Sequence, residues 1–178
     1  MKNKHIQGGY TLVELIVAVG LFALVMMLAS GAYLMMIGIS RQTQSIASGI
    51  DNLSFALETM TRTIRTSTSY GCPTAGIDCS SGGATFSVKN PEGNTVSYTS
   101  SNSAITQTTN GVTASLTDSS IKIISLKFYA VGTQSYSANG DRNQARVTII
   151  VSGTVSSGPG RTVPFTVETG ATMRGSDI

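Results

Sequence analysis

The chain has 178 residues, only 12% of them charged, and a formal net charge of +3. This length supports one modest domain with at most one appendage. Two of the twelve basic residues, Lys2 and Lys4, lie within the first nine positions, and the rest of the chain carries ten basic and nine acidic residues. Such a near-neutral balance gives no electrostatic reason to expect a nucleic-acid partner.

The residue types also limit the chemistry of the chain. The single histidine, His5, lies in the same short N-terminal segment, so a chain without that segment has no imidazole for a catalytic triad or a metal site. The two cysteines are too few for a zinc site built from four thiolates. Without a nucleophile–base pair or a metal-ligand cluster, the sequence predicts no enzyme, no bound metal and no other cofactor.

The N-terminal third is a polar leader followed by a long apolar run. Residues 1–9, MKNKHIQGG, are short and basic, and residues 10–39 are apolar apart from Glu14 and scattered Thr, Ser and Gly. The uncharged stretch 15–39 would extend about 37 Å as a helix, at about 1.5 Å per residue. A membrane hydrocarbon core is about 30 Å thick, so residues 10–39 are predicted to form a membrane-spanning helix.

Residues 40–70 are predicted to continue this helix as an amphipathic half. The segment 40–66 contains no proline, and its apolar side chains recur every three or four residues, as on one helix face. These positions are Ile46, Ile50, Leu53, Leu57, Met60 and Ile64. Gly71 and Pro73 are predicted to end the helix.

The C-terminal part, residues 71–178, is predicted to be β-rich because the apolar period changes to two from residue 84. Predicted strands lie at 84–88, 95–99, 104–108, 112–116, 121–131, 145–155 and 163–174. Asn110-Gly111 favours a two-residue hairpin turn. The expected fold is α+β, with one antiparallel sheet of five to seven strands that covers the helix stripe with one face.

The junction of leader and apolar run carries a specific motif. The leader KNKHIQGG followed by YTLVELIVAVGLFALVMM resembles the class III signal of type IV pilins and type II secretion pseudopilins. The resemblance covers residues 8 to about 40. The segment LETMTRTIRTS at 57–67 extends it more loosely, toward J-type minor pseudopilins and W-type minor pilins. The strand region carries no motif of that family.

This resemblance implies a role for three N-terminal residues. Prepilin peptidase would cut between Gly9 and Tyr10, Tyr10 would become N-methylated, and Glu14 would be the fifth residue of the mature chain. In a filament, Glu14 would pair with the N-terminal amine of a neighbouring subunit. Such pairing offsets the cost of a carboxylate inside a bilayer, which is about 2.5–3.5 kcal/mol near the midplane.

The resemblance also implies a location and a set of partners. The chain would be a single-pass inner-membrane protein with an extracytoplasmic C-terminal domain, in the periplasm or at the cell surface, and part of a filament after assembly. Its partners would be other pilins or pseudopilins, prepilin peptidase and the inner-membrane assembly platform. Nucleic acid is not an expected partner.

Other interpretations of the N-terminus remain open. Thr11 and Glu14 fit a capping box, in which both side chains bond the first turn of their own helix. An ordinary secretory signal peptide would instead be cut near Ala32 or Tyr33, and an uncut signal anchor would retain Met1. Intact mass separates these possibilities, because each gives a different first residue.

Small residues and cysteines give two further candidates. Gly20, Gly31 and Gly38 either are simply tolerated in lipid or permit close packing between helices. Cys72 and Cys79 are separated by six residues and would lie in an oxidising space, which favours a structural disulfide over free thiols.

Three weaker patterns have ordinary explanations. The C-terminal arginines form either a basic patch or an unremarkable surface, and they are Arg142, Arg146, Arg161 and Arg174. The stretch 139–143 resembles a calcium loop only faintly and lacks spaced acidic residues. Four tyrosines fit either a binding surface or half-buried sheet positions, and they are Tyr70, Tyr98, Tyr129 and Tyr136.

Two function classes are consistent with the sequence. The first is a structural minor pilin or pseudopilin of a type II secretion or type IV pilus filament. The alternative is a membrane-anchored extracytoplasmic binding module that does not polymerise. Replacing Glu14 distinguishes them, because only the first class needs this carboxylate for incorporation into a filament.

Overall fold

A computed structural model describes residues 9–72, 74–134, 143–158 and 160–174 of the chain. Its first element is helix α1, Leu12–Thr66, and all strands follow it. The chain divides into two units, Met1–Gln42 and Thr43–Ile178. An α+β class with a long N-terminal helix is therefore confirmed.

Helix α1 ends earlier than the sequence predicts. Its last residue is Thr66, and the next residue, Ser67, donates its hydroxyl to the Thr63 carbonyl at 2.6 Å and its N–H to the Ile64 carbonyl at 3.2 Å. These bonds satisfy carbonyl groups that a helix end leaves without intrahelical partners. The prediction that Gly71 and Pro73 end the helix is wrong, and Pro73 lies outside the described residues.

Nine strands follow the helix in the part of the chain that the structure describes. They are β1 (Thr68–Gly71), β2 (Cys79–Gly83), β3 (Thr85–Lys89), β4 (Thr95–Ser101), β5 (Ala104–Thr109), β6 (Val112–Ser115), β7 (Ile121–Val131), β8 (Arg146–Ser156) and β9 (Thr162–Thr172). All seven predicted strands are confirmed within two residues at each end. The sequence did not predict β1 and β2, because they are short and rich in serine and glycine.

The strands form two antiparallel sheets rather than the single sheet that the sequence predicts. Sheet A has the order β1-β3-β4-β5-β6, and sheet B has the order β2-β7-β8-β9. Alternation of side chains marks a strand but not its partner, and the pairing of β2 with the distant β7 leaves no local signal. The strand count was therefore close to correct, while the number of sheets was wrong.

The predicted hairpin turn at Asn110-Gly111 is confirmed. Thr109 pairs directly with Val112, so the loop between β5 and β6 contains two residues. Asn110 has φ = 52° and Gly111 has φ = 82°. Positive φ at both central residues is what a type I′ turn requires, and this explains the Asn-Gly pair.

One hydrophobic core joins the C-terminal part of α1 to both sheets. The buried helix residues are Gly49, Leu53, Ala56, Leu57, Met60 and Ile64, and Ile46 packs against the core while partly exposed. The ring of Phe86 in sheet A stacks on Phe128 in sheet B, with centroids 5.3 Å apart. Helix and sheets are thus held by a shared apolar interior.

One position of the predicted stripe is wrong. Ile50 is 50% exposed, and Gly49 is buried in its place. At about 100° per residue, Ile50 lies farther than Gly49 from the centre of the face that contains Met60. A Cβ atom on Gly49 would lie 2.1 Å from Cγ2 of Val155, so only glycine lets the helix approach β8 this closely.

Candidate functional site

The predicted cleavage site lies before the helix, in exposed chain. Gly9 and Tyr10 are in neither helix nor strand, and Tyr10 is 85% exposed. The residues of the leader before Gly9 lie outside the described residues. A protease needs an accessible peptide, and the exposure of these two residues meets that requirement. Cleavage here remains a prediction.

The start of α1 is capped by Thr11. The hydroxyl of Thr11 accepts a hydrogen bond from the Glu14 N–H at 3.3 Å, and the Thr11 carbonyl accepts one from the Leu15 N–H at 3.2 Å. This is the first half of the capping box, because a threonine at the N-cap satisfies an N–H that the helix leaves free. Glu14 itself is exposed in the first turn, where an acidic side chain is favourable.

The N-terminal unit exposes a continuous apolar surface. From Leu12 to Ile39, the large apolar side chains other than Ile37 are between about one half and three quarters exposed, and Ile37 is partly buried. The helix is long and apolar enough to cross a membrane by length and composition. An exposed apolar surface of this extent marks contact with lipid or with other proteins. The structure therefore supports membrane anchoring through α1.

The three glycines predicted to pack between helices lie on this exposed surface. A Cβ atom added to Gly20, Gly31 or Gly38 would meet no heavy atom within 4 Å. Their side of the helix is therefore open within the single chain. Their role in close helix packing remains a prediction that only an assembly can test.

The two cysteines form a disulfide bond between Cys72 and Cys79. The loop between them is fixed to the end of β7 by Asp78, whose carboxylate accepts hydrogen bonds from Gly132 N–H at 3.2 Å, Thr133 N–H at 2.9 Å and Thr133 Oγ1 at 2.8 Å. Partial burial raises the pKa of Asp78, but these hydrogen bonds outweigh that effect and lower the pKa below its usual 3.8. The sequence alone does not indicate this anchor, because the partners of Asp78 lie more than fifty residues away along the chain.

The three C-terminal arginines within the described residues do not gather into one basic patch. Arg161 and Arg174 flank opposite ends of β9, and about 3.3 Å per residue separates them by about 40 Å. Arg146 lies across from Thr172, near the Arg174 end of that strand. Arg142 and Tyr136 lie outside the described residues, as does most of the stretch 139–143.

The three described tyrosines do not form an exposed binding surface. Tyr70 and Tyr98 are buried in the core, and Tyr129 is half-buried on β7. No group of three or more His, Cys, Asp or Glu side chains able to hold a metal ion occurs within the described residues.

Two shallow grooves lie in the C-terminal unit. A groove of about 450 Å³ is lined by β2, β4 and β7, and Lys127 is the only ionisable residue along it. The other, of about 380 Å³, contains Asp78 and Arg146, but the Asp78 carboxylate is engaged by Gly132 and Thr133.

The N-terminal part of the chain matches a protein-family model. Residues 4–30 match the model of the prokaryotic N-terminal methylation motif. No curated protein and no solved structure matches this chain. The match supports a type IV pilin-like family and implies a substrate of prepilin peptidase. The same motif fits the exposed junction at Gly9 and Tyr10, the capped helix start and the apolar surface described above.

Proposed function

We propose that this chain is a structural minor pilin or pseudopilin subunit of a type II secretion or type IV pilus filament. The observation that carries the proposal is the methylation motif at residues 4–30 on a helix whose apolar surface is exposed. The irregular two-sheet domain from Thr43 onward would be displayed outside the membrane. Its J-type or W-type character is part of this proposal.

Processing is the first step of the proposed function. Prepilin peptidase cuts the bond between Gly9 and Tyr10, and the new amine of Tyr10 is methylated. Accessibility supports this step, because both residues are exposed and precede the helix. The cut removes Lys2, Lys4 and His5 from the chain.

Assembly is the second step. The Glu14 carboxylate of one subunit forms an ion pair with the N-terminal ammonium group of Tyr10 from its neighbour. This pair offsets the cost of burying either charge in lipid. Gly20, Gly31 and Gly38 allow neighbouring helices to approach closely, and the inner-membrane platform inserts each subunit. The open space beside these glycines supports this role.

Intact mass of the exported protein tests the processing step. We expect a chain that starts at Tyr10 and carries one additional methyl group. A chain that begins at Met1, or one that begins near Ala32, would contradict the proposal. The measurement needs no filament, so it separates processing from assembly.

Replacement of Glu14 by alanine tests the assembly step. We expect the variant to be cut and membrane-anchored, with a folded C-terminal unit, but to be strongly depleted from sheared filaments. Glu92→Ala is a matched control, because Glu92 is an exposed acidic residue between β3 and β4. Recovery of Glu14→Ala in filaments at the level of Glu92→Ala would contradict the assembly role of Glu14. Absence of the native chain from filaments would favour the alternative, a binding module that does not polymerise.

A further inference from the structure

Strand β9 forms one edge of sheet B, and it is eleven residues long. It pairs with β8 along its whole length in an uninterrupted register. Among the described residues, no strand pairs with its other edge. A long unpaired edge is a template for another strand, and proteins usually block such edges when they are not used.

Backbone hydrogen bonds at the two ends of the ladder show which residues face the open edge. Ser157 N–H donates to the Arg161 carbonyl at 2.9 Å, and Met173 N–H donates to the Ala145 carbonyl at 3.0 Å. Both bonds use odd-numbered residues on the β9 side of the hairpin. In a regular antiparallel ladder, residues bonded to the partner strand alternate with residues whose N–H and C=O groups point away from it. Odd-numbered residues of β9 are bonded to β8, so the even-numbered residues direct their N–H and C=O groups toward the open edge.

Both ends of this open edge are closed. Pro164 is even-numbered and has no N–H to offer, which is how proline blunts an edge strand. At the other end, the Arg174 N–H donates to the Arg65 carbonyl at the end of α1, at 3.1 Å. The usable window therefore runs from Thr166 to Thr172.

The side chains of this window show what an added strand would cover. Odd-numbered residues of β9 face the core, yet Phe165 and Val167 are only partly buried and Val163 is 37% exposed. Val151, opposite Val167 on β8, is fully buried. A further strand with apolar residues at alternate positions would complete the burial of this row.

The charge of the window indicates the partner. Glu168 is the only ionisable residue in it, and its neighbour on β8 is Ile150. A lysine or arginine directly opposite on an added strand would pair with it across the ladder. The other edge strands of this chain contain neither residue type, and they are β1, β2 and β6. Within the described residues, the other edge strands of a second copy therefore supply no such cation.

We propose that the open edge of β9 binds an extended segment of another protein. That segment alternates apolar and polar residues and places a lysine or arginine opposite Glu168. Backbone bonds to Thr166, Glu168 and Gly170 hold the segment, and the cation sets its register. This docking does not depend on the filament role of the N-terminal helix.

Two synthetic peptides test the proposal with the full-length protein in detergent micelles. Both alternate valine and threonine, and the central residue is lysine in one and glutamate in the other. We expect the lysine peptide to bind about tenfold more tightly and to slow hydrogen exchange at the Thr166, Glu168 and Gly170 amides. Charge reversal by Glu168→Lys should invert this preference.

Proline substitutions give a matched pair of controls for the edge. Thr166→Pro removes an outward N–H inside the window and should abolish peptide binding. Thr162→Pro removes an outward N–H beyond Pro164 and should leave binding unchanged. Equal affinity for the two peptides, no binding of either peptide, or binding that survives Thr166→Pro would each overturn the proposal. If the native chain self-associates and Thr166→Pro does not, the partner is a second copy of the chain. That result would overturn the assignment of the partner to another protein.

Discussion

Two fully buried tyrosines differ in what their hydroxyl groups meet. The Tyr70 hydroxyl donates to the Ile64 carbonyl near the end of α1. The Tyr98 hydroxyl has no partner within hydrogen-bond geometry among the described residues. Burial raises the pKa of Tyr98 above 10.0, and the side chain of Thr63, which does not meet hydrogen-bond geometry, offsets only part of this rise. A buried hydroxyl without a hydrogen bond lowers the free energy of unfolding, while a hydrogen-bonded one raises it.

Removal of the two hydroxyls should therefore have different effects. Tyr70→Phe removes one of two donors to the Ile64 carbonyl, which keeps the Ser67 N–H, and should lower the free energy of unfolding by about 0.5–1.5 kcal/mol. Tyr98→Phe removes a desolvated group and should leave that free energy unchanged or raise it slightly. Urea unfolding followed by circular dichroism measures both variants. A larger loss for Tyr98→Phe than for Tyr70→Phe would contradict this account.

At the scale of single elements, alternation and spacing predicted the helix and the long strands but not their exact limits. The period-two segments 121–131 and 145–155 appear as β7 and β8 almost unchanged, because apolar side chains on one face must be buried. Strand β1 was missed because it lies directly after the helix and contains Ser69 at φ = 55°. Its pairing with β3 is a tertiary contact, which local propensity does not encode.

The candidate site divides in the same way. Gly9, Tyr10 and Glu14 are predicted from local sequence, because a leader, an aromatic junction and an apolar run follow one another. The window of β9 is not, because it depends on which strand becomes the edge of sheet B. The anchor between Asp78 and Thr133 likewise depends on two segments that meet only after folding.

This anchor makes the stability of the disulfide loop depend on pH. The pKa of Asp78 is lower in the folded chain than its usual 3.8, so its contribution is complete above about pH 4 and is lost as the pH falls through the folded-state value. Asp78→Ala should cost about 1 kcal/mol at pH 7 and progressively less below pH 4. Urea unfolding of the variant and of the native chain, at pH 7 and again below pH 4, measures the difference in the free energy of unfolding. A constant difference across this range would contradict the prediction.

At the scale of the whole molecule, buried and exposed apolar residues are separated along the chain. Every buried hydrophobic residue of the described part lies at or beyond Leu53, while Leu12–Ile39 accounts for most exposed ones. The unit from Thr43 onward therefore contains its own core. Such a unit should not need the apolar half of the helix to fold.

A truncated chain that begins at Thr43 tests this separation. We expect it to be soluble without detergent and to unfold cooperatively on heating. A chain that begins at Met60 is the matched control, because it lacks Gly49, Leu53, Ala56 and Leu57 and should not fold. Aggregation of the longer chain, or cooperative unfolding of the shorter one, would show that the core is assigned to the wrong residues.

The capped start of α1 has a consequence for the timing of assembly. In the uncut chain, neutral peptide groups precede Thr11 at the positive end of the helix dipole. The proposed cut would place an ammonium group there, two residues before Leu12, and like charges at a helix start are repulsive by about 0.3–1 kcal/mol. Removal of the leader would thus place an unfavourable positive charge at the helix start, and an anion from outside the chain would then stabilise that helix start. A freshly cut subunit would therefore be stabilised by a negative charge in addition to its own Glu14, and the Glu14 of a neighbouring subunit would supply that charge.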